Sequence, residues 1–294
     1  MSEKRRYYFI INPISGGKTK QDTVKTIEEI LKRKKVEHSF GWWNDGISVS
    51  SLVKDAKQNG YDTIVAVGGD GTINQVASEI VNTDLLLGII PLGSGNGFAR
   101  HLGIRGRVED ELLLLLKNKS KTIDTGTCNG QFFINIAGVG FDAHVSHKFS
   151  QSDKRGMLTY AKVSLLEART YPEQNYKLIL DGKRMEETAF LISIANGSQW
   201  GNEFYIAPDA ELNDGQLRCC LLNKPPLMAI PGLIKRFLTG EIAASKYYKD
   251  IPFKHLKIIR QDKGAVHLDG EPVWMDEELN FEVNRNSLHV ISNG

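Results

Sequence analysis

Between residue 7 and about residue 125 the apolar positions follow two alternating patterns. Tyr7-Tyr8-Phe9-Ile10-Ile11, Thr63-Ile64-Val65-Ala66-Val67 and Leu85-Leu86-Leu87-Gly88-Ile89-Ile90 are unbroken runs of buried-strand length, and 38–43 reads as a fourth strand. Val24, Ile27 and Leu31, and then Val49, Leu52, Val53 and Ala56, recur instead at helical spacing. Strands alternating with helices predict a parallel sheet covered on both faces. After residue 125 the apolar runs shorten and are punctuated by Asn129-Gly130, Asp181-Gly182, Asp214-Gly215 and Asp269-Gly270, dipeptides favoured in tight hairpins. That half predicts an antiparallel sandwich or barrel. Two helical inserts interrupt it, one near 154–168 and one near 227–238, where Ile230, Leu233, Ile234 and Phe237 hold helical register. With Lys235 and Arg236 this second helix could face an anionic membrane surface, or its apolar stripe could simply pack on a sheet. The expectation is an α/β domain over 1–125, to which a tail at about 283–294 returns, and a β-rich domain over 126–294.

Each of the three apolar runs ends in a small polar loop rich in glycine. The first runs into Asn12-Pro13-Ile14-Ser15-Gly16-Gly17-Lys18, the second into Gly68-Gly69-Asp70-Gly71-Thr72, and the third into Pro91-Leu92-Gly93-Ser94-Gly95-Asn96. Open parallel sheets bind ligands outside the carboxyl ends of their strands, so three such loops are expected to converge on one crevice. The second loop precedes the helix-like Ile73-Asn74-Gln75-Val76-Ala77. Glycines let backbone amides approach an anion closely, and the helix aims its positive end at the same place. Asp70 adds a carboxylate suited to Mg2+, through water, because magnesium gives up its hydration shell reluctantly. A nucleotide is the natural ligand. Taken alone, the pentapeptide also suits a tight turn in which Asp70 bonds local amides.

The series Asn-Pro-x-Ser-Gly, Gly-Gly-Asp-Gly-Thr-x-Asn, Pro-Leu-Gly-Ser-Gly-Asn resembles the diacylglycerol kinase catalytic-domain family, which includes bacterial lipid kinases, sphingosine kinases and ceramide kinases. The resemblance runs along the whole chain. Asn135-Ile136-Ala137-Gly138-Val139-Gly140-Phe141-Asp142-Ala143, Pro208-Asp209-Ala210, Asn213-Asp214-Gly215 and Leu268-Asp269-Gly270-Glu271 match further landmarks in order. It implies an NAD kinase/phosphofructokinase-like nucleotide-binding first domain and a lipid-binding second one. It also implies an ATP-dependent transfer of the γ-phosphate to a hydroxyl of a diacylglycerol-like or sphingoid lipid. ATP and Mg2+ are the implied cofactors. Asn12, Ser15, Gly16, Gly17, Lys18, Gly68, Gly69, Gly71, Thr72, Asn74, Gly93, Ser94, Gly95 and Asn96 would hold the nucleotide, and Asp70 the catalytic magnesium network. Asp269 would be the base, with Glu271 orienting it or Lys18. On the residues alone, Asp269-Gly270 suits a two-residue hairpin equally well, and only the resemblance favours the base. Asp214 resembles a structural magnesium position of some bacterial members, and a metal-free turn residue is as good a reading. Asn135 and Asp142, in the stretch joining the two halves, are candidates to line the cleft between them, although a buried Asn satisfying backbone groups is the commoner situation. One departure bears on substrate: bacterial diacylglycerol kinases usually carry Asp where Gly97 stands, and Gly-Ser-Gly-Asn before a small residue is closer to the sphingosine and ceramide kinases. The alternatives are an NAD kinase-like small-molecule kinase and an inactive nucleotide-binding regulator.

Composition narrows the setting. The 294 residues are 41% hydrophobic and 24% charged, with 37 basic against 35 acidic side chains, as in an ordinary globular protein. The basic cluster Lys32-Arg33-Lys34-Lys35 sits where a helix should end and complements its dipole, so no nucleic-acid partner is expected. Three cysteines without Cys-x-x-Cys spacing make neither a disulfide framework nor a metal site and suit a reducing cytosol. Neither a secretory leader nor a transmembrane segment is expected, since no apolar stretch approaches the roughly 18 residues needed to span a bilayer. A cytoplasmic enzyme with a lipid substrate must therefore visit the membrane surface at its inner face. Oligomeric state is open, a homodimer included.

Overall fold

Four parallel strands, β1 (Tyr7–Ile11), β2 (His38–Trp42), β3 (Thr63–Gly68) and β4 (Leu86–Pro91), lie in the order β2-β1-β3-β4, with Phe9 in register between Phe40 and Val65. The computed structural model describes residues 5–13, 20–44, 46–117, 119–150, 164 and 166–292. Helices α1 (Lys20–Arg33) and α5 (Val108–Leu115) cover one face of this sheet, where Ile27, Leu31, Leu112 and Leu115 pack on Phe9, Ile11, Val65 and Ile90. Helices α2 (Val49–Gln58) and α3 (Asp70–Ile80) cover the other. Two-sided cover is why the strands read as unbroken apolar runs. A short α4 (Gly97–His101) follows β4.

By its internal contacts the chain divides into two units, 1–123 with 286–294, and 124–285. The second unit is an antiparallel sandwich. One sheet runs β14 (Tyr248–Phe253), β13 (Leu217–Leu222), β10 (Leu191–Ala195), β7 (Ile136–Gly140), β16 (Gly264–Leu268), β17 (Glu271–Met275). The other takes in β9 (Lys183–Ala189), β8 (Gln174–Leu180), β15 (His255–Ile259) and the long β18 (Glu278–Ile291). On β18 also pairs β5 (Ser120–Cys128), itself joined to β6 (Gln131–Phe133). Val139, Ile192, Ile194, Cys219 and Val266 from the first sheet share a core with Leu178, Leu256, Ile258 and Phe281 from the second. A second cluster covers the outer side of the six-stranded sheet. It joins Phe141 and Val145 of α6 (Phe141–Ser150) to Leu233 and Phe237 of α7 (Ile230–Thr239), with Phe190, Leu222 and Tyr248. The last residues of β18 belong to the first unit, where His289 and Val290 pair in parallel with Leu86 and Leu87.

Three of the four hairpin dipeptides form tight turns with positive φ at both residues: Asn129-Gly130, Asp181-Gly182 and Asp269-Gly270. Asp214-Gly215 does not, contrary to expectation. The residues before it run without strand pairing, Gly215 alone has positive φ, and Asp214 Oδ1 accepts the Gln216 N–H at 2.9 Å in a local turn. Of the insert expected near 154–168, residues 151–163 lie outside the described residues, and 166–170 are helical. Among the described residues no helix is long and apolar enough to cross a membrane.

Candidate active site

The loops after β3 and β4 meet within the first unit, and Asn12, just after β1, reaches them. Gly68 and Gly69 end β3, and Gly69 caps α3, whose first turn is Asp70, Gly71 and Thr72. A Cβ on Gly69 would stand 3.2 Å from Gly93 Cα, and one on Gly93 would stand 2.7 Å from Gly69 Cα, so the two loops touch backbone to backbone. A Cβ on Gly68 would lie 2.3 Å from Thr72 Oγ1. Thr72 in turn accepts a bond from Asn12 Nδ2 at 3.1 Å, which ties in the residue that follows β1. Asp70 completes the join: its Oδ2 accepts the Asn96 N–H at 2.8 Å. Asn96, in left-handed conformation at φ 51°, braces its own loop by accepting the Gly93 N–H at 3.1 Å and donating to the Gly93 carbonyl at 2.7 Å.

Glycine at the contact lets backbone approach an anion closely, and α3 aims its electropositive N-terminal end at the same place, so this surface suits a chain of phosphates. Ser94 stands exposed at the third loop's tip, Gly95 packs toward Asp70 Oδ2, and Asn74 lies half-buried on α3. Ser15, Gly16, Gly17 and Lys18 lie outside the described residues. Asp70 thus ties two loops together, and magnesium would reach it alongside nucleotide phosphates rather than in an all-protein cage. No cluster of three or more His, Cys, Asp or Glu suited to a metal occurs among the described residues, Asp214 included.

In the second unit Asp269 opens the β16–β17 turn at φ 50°. Its Oδ1 accepts the N–H groups of Asn135 at 2.8 Å and Ile136 at 2.9 Å, and its Oδ2 that of Ile134 at 2.8 Å. The turn residue and the carboxylate candidate are the same group, which pins the entry to β7. Asp181 uses the same device on Lys254 and His255. Glu271 is exposed on β17.

Sequence reasoning missed the buried pair beneath this turn. His267 Nε2 lies 2.8 Å from Asp142 Oδ2, the latter also bonded by Ser193 Oγ at 3.1 Å. Both side chains are buried. Gly138 makes room for them, since a Cβ there would fall 2.2 Å from His267 Nε2. Asp142 is therefore a buried partner of His267, and Asn135 is likewise buried, with Nδ2 on the Gln199 carbonyl. Burial alone would raise the Asp142 pKa, but the His267 ring and its hydrogen bond outweigh this and hold it below the ordinary carboxylate value. Burial depresses His267, yet Asp142 beside it, with Asp269 nearby, raises it above 6.5. The Gly270 N–H donates to His267 Nδ1 at 3.2 Å and favours the neutral ring, a weaker influence than the carboxylate.

A pH dependence of stability follows. The contribution of His267 is complete below 6.5 and fades as pH rises through its higher folded value, whereas that of Asp142 is complete above 3.8 and fades as pH falls through its lower one. Asp142→Asn is expected to cost about 3–5 kcal/mol, because it strands a buried imidazole, and to flatten the alkaline decline. Denaturant titrations across pH check this; an unchanged alkaline limb in the variant would exclude the pair as its source.

Comparison with known proteins bears on the family and the fold. Residues 6–128 match the Diacylglycerol kinase catalytic domain, and residues 135–292 the YegS C-terminal NAD kinase beta sandwich-like domain. The diacylglycerol kinase of Bacillus subtilis (strain 168) is 28% identical over 272 residues, 91% of this chain and 90% of its own. A probable lipid kinase YegS-like protein of Yersinia enterocolitica is 30% identical over 286 residues, 95% of this chain and 94% of its own. Among solved structures, a putative diacylglycerol kinase from Bacillus anthracis str. Sterne superposes with a TM-score of 0.81 at 21% identity, covering 100% of this chain and 99% of that one. An NAD kinase from Archaeoglobus fulgidus in complex with ATP gives 0.56 at 18%, covering 98% and 94%. At such identities these two structures speak for the fold alone. Family matches over both halves, together with a relative similar along nearly the full length, establish that the chain belongs to the diacylglycerol kinase catalytic-domain family of lipid kinases.

Proposed function

We propose that this protein transfers the γ-phosphate of ATP to a hydroxyl of a diacylglycerol-like or sphingoid lipid. The observation that carries the proposal is the meeting of two glycine loops at the carboxyl end of one parallel sheet, with Asp70 bonded across them and Asn12, just after β1, bonded to Thr72. In the proposed reaction the loop amides and Thr72 hold the phosphates, and Asp70 would hold magnesium, which would supply neutralisation of their charge. The acceptor oxygen bonds to the γ-phosphorus while the bond to the β–γ bridging oxygen breaks, and ADP leaves with that electron pair. Asp269 takes the hydroxyl proton. Gly97 in place of a carboxylate keeps sphingoid lipids among the acceptors beside diacylglycerols.

Purified protein with Mg2+ and labelled ATP is expected to phosphorylate at least one lipid of a hydroxyl-lipid panel. Mass spectrometry of a treated lipid extract should then show species heavier by one phosphate. Phosphorylation of NAD with no lipid product would overturn the proposal in favour of a small-molecule kinase, and an ATP-dependent thermal shift without any product would point to a nucleotide-binding regulator.

A further inference from the structure

Helix α7 and the single 3-10 turn before it (Leu227–Ala229) carry two apolar stripes, and only one is used by the fold. The inward stripe is Leu233 and Phe237, buried, with the rings of Trp200 and Phe204 at 5.5 and 5.9 Å from that of Phe237. The outward stripe is Leu227, Pro231, Ile234 and Leu238, spaced as one helical face, with Met228 beside it. Leu227 is 74% exposed, Met228 95%, Ile234 43% and Leu238 47%. Single exposed apolar residues are ordinary; five on one short element form a patch.

The charged side chains of the segment that carries the patch are mainly basic. From 223 to 246 the chain has four basic residues, Lys224, Lys235, Arg236 and Lys246, and one acidic residue, Glu241. Lys224 is drawn inward, its Nζ bonded to the Tyr171 carbonyl at 2.6 Å, and Arg236 reaches the Glu241 carbonyl at 3.3 Å. Lys235 and Lys246 are exposed. Pro225 and Pro226 stiffen the entry, and Gly240, at φ 73°, stops the helix.

We infer that this outward face docks on an anionic phospholipid surface, with Leu227, Met228, Ile234 and Leu238 entering the headgroup boundary and the basic side chains lying against lipid phosphates. Apolar side chains flanked by long basic ones are the chemistry such an interface rewards, since Lys and Arg keep their stems on apolar material and their heads among anions. A protein partner would have to match a narrow aliphatic stripe that offers no exposed aromatic anchor. The inference rests on the lipid-kinase reading, because a substrate held in a bilayer obliges the protein to reach that surface.

Co-sedimentation with vesicles of phosphatidylcholine alone and of equimolar phosphatidylcholine and phosphatidylglycerol tests it. The full chain should bind the anionic vesicles more tightly, by about fivefold per engaged basic side chain. Leu227→Asp with Met228→Asp should weaken that binding about tenfold or more. Lys235→Glu with Arg236→Glu should remove most of the preference for anionic vesicles. Cys128, Cys219 and Cys220 are buried, so a polarity-sensitive dye on Met228→Cys reports one site and should shift to the blue on anionic vesicles. Unchanged melting temperatures would show the variants folded, and the dye carries the test if they are not. Vesicle binding indifferent to both double variants, or a dye that stays in water while the protein binds, would overturn the inference. So would a dimer in sedimentation equilibrium that the Asp variants convert to monomer, since the face would then belong to a second copy. Assay on a dispersed short-chain diacylglycerol separates the two readings: variants that turn it over like the parent but no longer bind vesicles support the docking face. A parent that phosphorylates no lipid while its vesicle binding still depends on the patch would fail the kinase reading alone.

Discussion

Gly93→Ala is expected to weaken ATP binding at least tenfold and to lower stability by about 1–3 kcal/mol. The added carbon would sit 2.7 Å from Gly69 Cα and 2.6 Å from Asn96 Oδ1. The first neighbour is backbone and cannot turn aside, so the loops after β3 and β4 must part. Parting them disturbs the Asp70 to Asn96 bond and moves the amides proposed to hold phosphate. The ATP-induced rise in melting temperature reads this directly. Gly232→Ala, whose added carbon meets nothing within 4 Å, should leave that rise unchanged and serves as the comparison. An undiminished rise in Gly93→Ala would place the nucleotide away from these loops.

The second large effect concerns Asp269, whose proposed catalytic role and observed structural role must be separated. Asp269→Asn swaps one acceptor oxygen for an NH2 group facing backbone N–H donors, and is expected to cost about 2–4 kcal/mol. Loss of turnover in that variant alone would therefore be ambiguous. Asp181→Asn supplies the control, because Asp181 opens the same kind of turn, also accepts two backbone N–H groups, and lies in an exposed hairpin. It should lose about 1–2 kcal/mol and keep full turnover at a temperature where it is folded. Asp269→Asn, assayed at an equal margin below its own melting point, should bind ATP and lose turnover by a hundredfold or more. Retained turnover would leave Asp269 as a turn clamp and nothing else.

The sequence disclosed what is local. Three strand runs, the glycine loops after β3 and β4 and the helix after Gly69 are contiguous signals, and the convergence of those two loops follows from parallel topology. The tight turns at Asn129, Asp181 and Asp269 were legible as well, since Asx-Gly pairs suit positive φ at two successive residues. What lay hidden joins residues distant along the chain. Nothing near Asp142 announces His267, and Gly138, met as one member of a motif, proves to be the space that lets the pair form. Asp214-Gly215 misled because a turn dipeptide does not reveal whether strands flank it. In α7 periodicity gave the helix but not its orientation, as Ile230, Leu233, Ile234 and Phe237 are all apolar while only Leu233 and Phe237 are buried.

Strand β18 begins among residues of the sandwich and finishes by pairing with β4. During synthesis β4 must therefore wait, one edge unsatisfied, until residues 286–292 have emerged from the ribosome. A nascent first unit would be exposed to mispairing over that interval, and trimming those few residues from the finished protein should loosen the glycine loops after β3 and β4 from a distance, through the edge of the sheet that carries them.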